Sequence, residues 1–254
     1  MNLGLKGKTA IVMAASKGLG KASARALAME GAHVVIGARD KETLEKTAEQ
    51  IKNESGSKIL AVPTDVTKPH DLETIVTKTI QEFGTVDILV NNAGGPPAGK
   101  FEELTDKQWQ QAFELNLLST VRLIRLILPY MKKNRNGRII NMVSISAKQP
   151  VENLILSNSI RAGVVGMAKT LSDEVAPNNI TINNILTGNF LTDRIKHLYP
   201  TKEELDTVTN AIPLKRLGKP EEFGALVAFL GSEQAAFITG TSIQIDGGLV
   251  RSLL

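Results

Sequence analysis

The sequence predicts an α/β fold: a single doubly wound parallel sheet of the Rossmann type with helices on both faces. Three observations predict it. Short apolar runs alternate with helical patterns from end to end. No linker, low-complexity segment or internal repeat divides the chain. Its 254 residues, 42% of them hydrophobic, suffice for one large core. We therefore expect one domain over residues 1–254.

The strands are expected at seven short apolar runs. The first follows Lys6 and Lys8 and superficially resembles a signal peptide, but it is short and a strand is favoured. In chain order the runs are TAIVMA (9–14), AHVVIGA (32–38), KILAVPT (58–64), VDILVNNA (86–93), GRIINMVS (137–144), ITINNIL (180–186) and SIQID (242–246).

Helices are expected between these runs, where apolar residues recur at helical spacing. One set is Leu44, Ala48 and Ile51, and the next is Leu72, Ile75, Val76, Thr79 and Phe83. Asp40 and Thr67 are the expected N-cap regions. The most apolar stretch, 115–131, carries Arg122 and Arg125 near its centre, so we interpret it as a buried soluble helix and expect no membrane span.

One segment, residues 188–220, departs from the regular alternation of strand and helix. Pro200 and Pro213 interrupt its helical pieces. A long connection of this kind is often functional. We expect it to form a mobile substrate lid above the edge of the sheet.

Composition excludes several classes of function. The chain has no cysteine, which rules out disulfides and thiolate chemistry and fits a reducing, cytoplasmic location. The net charge is +4, and the one basic cluster, 132–138, is interpreted as a solvated helix end and turn, so no nucleic-acid partner is expected. The three histidines are scattered, neither Ser144 nor Ser157 lies in a G-x-S-x-G motif, and no metal-ligand spacing occurs.

The first expected strand runs into a glycine-containing turn that opens a helix. Gly18 and Gly20 permit close approach of the backbone to a phosphate, and the amide groups at the start of a helix favour an anion. A turn of this kind in a strand–helix–strand unit indicates a dinucleotide pyrophosphate site, although a tight turn needs glycine even without a ligand.

From about Lys6 to Gly248 the chain resembles the short-chain dehydrogenase/reductase family, in particular its 3-oxoacyl-thioester reductases. The family opens with T-G-x-x-x-G-x-G, and this chain has Met13 and Ala14 in place of the first threonine and glycine. We expect the turn to survive if the backbone angles at Ala14 are negative. Four further motifs match in type and order: Asp65-Val66, NNAG at 91–94, the lone Asn116, and the ending FITGTSIQIDGG at 237–248.

The resemblance implies a set of cofactor-binding residues. Asp65 and Val66 would contact the adenine, and the NNAG segment would wall the cleft. Thr187-Gly188 stands where the family has Pro-Gly, with Thr192 at the later cofactor contact. The full set is Ala14, Ser16, Lys17, Gly18, Leu19, Gly20, Arg39, Asp65, Val66, Asn92, Ala93, Gly94, Arg161, Gly188 and Thr192.

The tip of the second strand favours NADP(H) over NAD(H). A site for NAD presents an acid there for the ribose hydroxyls, whereas a 2′-phosphate needs positive charge. This chain reads Gly37-Ala38-Arg39, with Lys17 in the glycine turn nearby. Asp40 is the competing ribose acceptor, but it serves better as the N-cap of the following helix.

The catalytic motif of the family is altered in this chain. The family uses a tyrosine in Y-x-x-x-K as proton donor, a lysine that holds the nicotinamide ribose, a serine that steadies the carbonyl oxygen, and an asparagine that anchors a relay water. Ser144 implies a tyrosine thirteen residues later, but position 157 is serine and position 161 is arginine. The two tyrosines, Tyr130 and Tyr199, are followed at the fourth position by Asn134 and Glu203.

The candidate catalytic residues are therefore Asn116, Ser144, Ser157 and Arg161. An arginine can hold ribose hydroxyls but cannot readily pass protons, and a serine is not acidic near neutral pH. Water anchored by Asn116 or Ser157 is the expected proton source, and His197 or Tyr199 in the lid is the competing one.

Three hypotheses remain open at this point. The first is an NADP(H)-dependent oxidoreductase acting on a small carbonyl or alcohol substrate. The second is a catalytically weak or inactive NADP(H)-binding sensor or scaffold, and the third is a structural oligomer without nucleotide. The resemblance implies a homotetramer, with a dimer as the alternative.

Overall fold

The structure is a computed structural model that describes residues 2–253. Its strands are β1 (Thr9–Met13), β2 (His33–Ala38), β3 (Ile59–Pro63), β4 (Ile88–Asn91), β5 (Gly137–Ser144), β6 (Ile180–Thr187) and β7 (Ser242–Ile245). They form one seven-stranded parallel sheet in the order β3-β2-β1-β4-β5-β6-β7. All seven predicted strands are confirmed. The order reverses between β1 and β4, which opens a crevice at the carboxyl ends of these strands.

Nine α-helices connect the strands in the described part of the chain. They are α1 (Gly18–Met29), α2 (Lys41–Ser55), α3 (Pro69–Phe83), α4 (Asp106–Phe113), α5 (Ser119–Asn134), α6 (Ile155–Val175), α7 (Asp193–Leu198), α8 (Lys202–Ala211) and α9 (Pro220–Gly231). A π-helical segment, Glu114–Leu118, joins α4 to α5. The sheet is therefore covered on both faces, as the Rossmann-type prediction required.

Two large apolar clusters hold the helices against the sheet. On one face Leu27 of α1, Leu44 of α2 and Phe223 of α9 are buried against β1 and β2. On the other face α3 and α5 contribute Leu72 and Ile127. Burial of each such side chain stabilises the fold by about 1.5–3 kcal/mol. The two clusters therefore hold the helices and the sheet in fixed positions, including the carboxyl ends of the strands.

One predicted N-cap is confirmed and the other is wrong. Asp40 accepts a hydrogen bond from the backbone N–H of Thr43 at 2.7 Å and caps α2. Thr67 does not cap α3: its backbone N–H and hydroxyl both donate to Asp65, and Lys68 precedes the helix without a side-chain cap. Because α3 begins with a proline, which has no N–H, it has less need of a cap.

The basic cluster at 132–138 differs from its prediction at one residue. Lys132 and Lys133 are exposed at the end of α5, but Arg138 is only 5% exposed. Its guanidinium donates to the carbonyl oxygens of Ser232, Gly137 and Asn179 at 3.2, 2.9 and 3.3 Å. Burial lowers the pKa of Arg138 from its ordinary value. This arginine therefore ties β5 to the α9 side of the sheet and is not part of a solvated turn.

The apolar stretch 115–131 forms the π-helical segment and most of α5, with Leu123, Ile124 and Ile127 buried. Within residues 2–253 no helix has the length and apolar character needed to cross a membrane. The segment 188–220 contains α7 and α8, separated at Pro200, and Pro213 follows α8. Both helical interruptions thus lie where the sequence predicted them.

Candidate active site

The glycine turn is built with a strained residue. Ala14 has φ +49°, in the left-handed region, so the condition of a negative angle is not met and the turn forms with a strained alanine. A Cβ on Gly20 would collide with the carbonyl group of Ala14, which explains why glycine is needed at position 20. Lys17 precedes α1 but makes no side-chain cap, so the first amide groups of this helix have no side-chain partner. That end of α1 suits an anion.

Two exposed basic side chains, Lys17 and Arg39, lie in the glycine turn and directly after β2, the strand that pairs with β1. Arg39 follows β2, is exposed, and forms no ion pair within residues 2–253. Burial raises the pKa of Asp65, but hydrogen bonds from Thr67 and the positive charge of Arg39 outweigh it and lower that pKa. The ammonium of Lys17 lies 3.8 Å from the carboxylate of Asp193, which sequence reasoning did not single out.

Asn116 joins the NNAG loop to the π-helical segment. Its Nδ2 donates to the carbonyl oxygen of Gly94 at 2.9 Å, and the side chain is buried. Its Oδ1, like the Oδ1 of Asn91, is buried without a hydrogen-bond partner among the described residues. A Cβ at Gly94 would meet no atom within 4 Å, so the loop borders open space. Asn91 and Asn116 line the same small pocket, so it is bordered by two side chains with unused acceptors.

Arg161 is a buried cation without an acidic partner. It projects from α6, is 9% exposed, and its Nη1 donates to the carbonyl oxygen of Met142 on β5 at 3.0 Å. No carboxylate of residues 2–253 forms an ion pair with it. Burial first, and the charge of Arg194 second, lower the pKa of Arg161 to about 10. The guanidinium is therefore still charged near neutral pH, and it borders the same small pocket as Asn91 and Asn116.

Three serines meet where β5 ends and α6 begins. The Oγ of Ser144 accepts a hydrogen bond from the backbone N–H of Ser146 at 3.1 Å, and the hydroxyls of Ser146 and Ser157 are 3.0 Å apart. Ser157 is buried. The structure thus links Ser144 and Ser157 through Ser146. Sequence reasoning missed Ser146, although it lies two residues after Ser144.

A row of asparagines crosses the sheet beneath this cluster. Asn91 donates to Asn141 at 2.9 Å, Asn141 donates to Asn184 at 3.0 Å, and Asn184 donates to Ser242 at 3.2 Å. Each Nδ2 is used along the row, so the amide of Asn91 is held with its Oδ1 free. Sequence reasoning missed the row, which could have been found by aligning the strands in register.

Comparisons with known proteins agree with this geometry. A family model described as enoyl-(acyl carrier protein) reductase matches residues 13–250, which include the glycine turn, Asn116, Arg161 and the segment 188–220. The chain belongs to the short-chain dehydrogenase/reductase family. It is 38% identical over 248 residues to a 3-oxoacyl-[acyl-carrier-protein] reductase of Vibrio cholerae, covering 97% of this chain and 99% of that protein.

Solved structures of this family have the same fold. L-sorbose reductase from Gluconobacter frateurii, complexed with NADPH and L-sorbose, is 35% identical with a TM-score of 0.95 over 100% of both chains. YwfH, an NADPH-dependent reductase involved in bacilysin biosynthesis, is 32% identical with a TM-score of 0.94 over 97% of this chain and 99% of its own. The chain is therefore an oxidoreductase of the short-chain dehydrogenase/reductase type.

The remaining family positions lie around the start of α7. A Cβ on Gly188 would come within 2.6 Å of the Cα of Asp246, so β6 ends in close contact with the segment after β7. The methyl group of Thr192 would lie 3.7 Å from a Cβ on Gly18, which places the start of α7 over the glycine turn. These contacts place the start of the segment 188–220 next to the glycine turn.

The two alternative proton donors are not drawn into the cluster. His197 is exposed and Tyr199 half-buried, and neither side chain hydrogen-bonds to the serines or to Asn116 among residues 2–253. The described part of the chain, residues 2–253, contains no group of three histidine, aspartate or glutamate side chains that could hold a metal ion.

Proposed function

We propose that the protein is an NADP(H)-dependent oxidoreductase that acts on a small carbonyl or alcohol substrate through an atypical active site. The observation that carries the proposal is Arg161: a buried guanidinium without an acidic partner, beside Asn116, at the carboxyl end of β5. A buried cation is stable only where another group compensates its charge or accepts its hydrogen bonds. A nicotinamide ribose in the cleft would supply the acceptors.

The residues present fit a dinucleotide. The uncapped end of α1 and the turn from Ala14 to Gly20, including Ser16 and Leu19, would hold the pyrophosphate. Asp65 and Val66 would contact the adenine, and Asn92, Ala93 and Gly94 would wall the cleft, with Gly188 and Thr192 closing it. Arg39 and Lys17 favour the 2′-phosphate of NADP(H). When bound, the nicotinamide would supply or accept the hydride.

The side chains of the cluster would handle the oxygen and the proton. The N–H of Ser146 occupies a lone pair of the Ser144 oxygen, which leaves the Ser144 hydroxyl proton free to donate to the substrate oxygen. Arg161 would hold the ribose but, with its pKa near 10, would keep its own proton at neutral pH. The proton would reach the substrate oxygen from water anchored by Asn116 or Ser157.

A second candidate is a weakly active or inactive NADP(H)-binding sensor or scaffold. The observation that favours it is that the Ser157 hydroxyl is buried and engaged with Ser146, so the position of the family's acid carries no acidic group. For either candidate we propose a cytoplasmic homotetramer whose segment 188–220 serves as the substrate lid.

The deciding experiment combines binding with turnover. NADPH and NADH affinities would be measured by fluorescence titration, and NADPH oxidation would be followed over a panel of aldehydes, ketones and 3-oxoacyl thioesters. Ser157→Tyr/Arg161→Lys and both single variants would be assayed in parallel. Wild-type turnover supports the oxidoreductase. A silent wild type with an active double variant supports the sensor or scaffold, and absence of NADPH binding refutes both.

A further inference from the structure

A second guanidinium lies at the same end of the cleft as Arg161. Arg194 stands in the first turn of α7, and its Nη2 donates to the carbonyl oxygen of Pro96 at 3.4 Å. No carboxylate of residues 2–253 forms an ion pair with it, and its neighbour Asp193 pairs with Lys17 instead. Both arginines of this end of the cleft are thus without an anion from the protein itself.

The chain leaves room for the Arg194 side chain. A Cβ on Gly95 would lie 2.6 Å from its Nη2 and 3.2 Å from its Cζ, so a larger residue at position 95 would displace the guanidinium. The preceding residue, Gly94, is itself held by Asn116. Ile195 is buried and anchors α7 at the next position. Arg194 is therefore placed against the wall of the cleft, next to the candidate catalytic cluster.

The two guanidinium groups are close enough to influence one another. After burial, the charge of Arg194 is the second cause that lowers the pKa of Arg161. Two cations with no counter-charge repel one another, and the repulsion grows as solvent is excluded. Such an arrangement is stabilised when an anion enters between them or beside them.

We propose that Arg194 binds a carboxylate of the substrate, with Arg161 adding positive potential, so that the substrate is an oxo acid or the corresponding hydroxy acid. This inference rests on the proposed oxidoreductase function. Arg161 is buried and already donates to Met142, whereas Arg194 is exposed and, besides the Nη2 proton that donates to Pro96, keeps one pair of parallel N–H groups for a ligand. Two parallel donors in one plane match the two oxygens of a carboxylate.

The test uses the full-length protein loaded with NADP⁺ and two probes of nearly equal shape, oxamate and oxamide, of which only oxamate carries a carboxylate. Binding is measured by calorimetry. We expect oxamate to bind at least about tenfold more tightly than oxamide, and Arg194→Met to remove that difference, because a charge-assisted bidentate contact is lost. Arg194→Lys should retain part of it. Lys196→Met, which removes another exposed cation of α7, is the matched control and should bind oxamate normally.

NADPH affinity of each variant separates the possible sources of the anion. If Arg194 serves the substrate, Arg194→Met binds NADPH as the wild type does, within about twofold. The proposal is overturned if oxamate and oxamide bind equally, if Lys196→Met weakens oxamate as much as Arg194→Met, or if Arg194→Met weakens NADPH by the same factor, since the anion would then be the cofactor diphosphate. Failure of wild type to bind NADPH at all removes the oxidoreductase function and this inference with it.

Discussion

Replacement of Ala14 by glycine tests the strain in the cofactor turn. Ala14 has φ +49°, where an alanine Cβ approaches the following carbonyl oxygen. The turn retains this conformation because β1 and α1 on either side of it are packed into the core. Ala14→Gly removes the Cβ and leaves the surrounding contacts in place.

The expected gain follows from two opposing terms. A non-glycine residue in the left-handed region costs about 1–2 kcal/mol. Glycine removes that strain, but the greater freedom of the unfolded chain returns about 0.5–1 kcal/mol. We therefore expect Ala14→Gly to raise the free energy of unfolding by about 0.5–1 kcal/mol. For a chain of 254 residues this corresponds to a rise in Tm of about 1–4 °C.

The assay is thermal and urea unfolding without nucleotide, at one protein concentration. Ala22→Gly is the matched control, because Ala22 lies inside α1, where glycine costs about 1 kcal/mol. The two variants should change stability in opposite directions. If Ala14→Gly destabilises the protein as Ala22→Gly does, position 14 is not strained and the argument fails.

Three further variants test individual contacts. Asp40→Ala should lower the Tm through loss of the cap on Thr43 and leave the ratio of NADPH to NADH affinity unchanged; a changed ratio would assign Asp40 to the ribose. Asp193→Asn should remove the carboxylate that pairs with Lys17 and thereby tighten NADPH binding at low salt; the gain should be only about two- to fivefold because an exposed ion pair is weak. Equal tightening of NADH would contradict the role of Lys17. Glu222, in the first turn of α9, pairs with Arg216 at 2.6 Å, and this contact is the main cause that lowers the pKa of Glu222 from 4.5 to about 2. Its stabilisation is therefore complete above pH 4.5 and is lost as the pH falls toward 2. Glu222→Gln should flatten the stability curve in that window, and acid unfolding identical to that of the wild type would refute this.

The strands could be predicted because each buried strand corresponds to a short apolar run in the sequence. Residues at the ends of elements were less predictable. Thr67 has the right type for a cap, but its hydroxyl finds Asp65 two residues away, which is closer than the helix. Arg138 belongs to a basic cluster in sequence, yet β5 carries it into the interior, where three carbonyl oxygens receive it. A local side-chain contact decides the first case and long-range contacts decide the second, so residue type alone decides neither.

In the candidate site too, some positions could be predicted from the sequence and others depend on contacts in the fold. The positions of Ser157 and Arg161 could be predicted because helix α6 and strand β5 keep their register. Arg194 could not, since its location depends on how α7 lies over Gly95, a contact between residues 99 positions apart. The conformation of Ala14 was also hidden, because sequence gives the residue but not its φ angle.

The exchanged residues Ser157 and Arg161 and the inferred substrate carboxylate are chemically related. A positioned general acid contributes about 10²- to 10⁴-fold to a rate, and Ser157 cannot supply it. The loss of rate is smaller if the substrate carbonyl accepts hydride more readily, because its oxygen then depends less on protonation by an acid. An arginine that pairs with a neighbouring carboxylate withdraws electron density from that group and has this effect on the carbonyl beside it. On the proposed function, Arg194 therefore does more than select the substrate: it offsets, from the lid, part of what is missing at position 157.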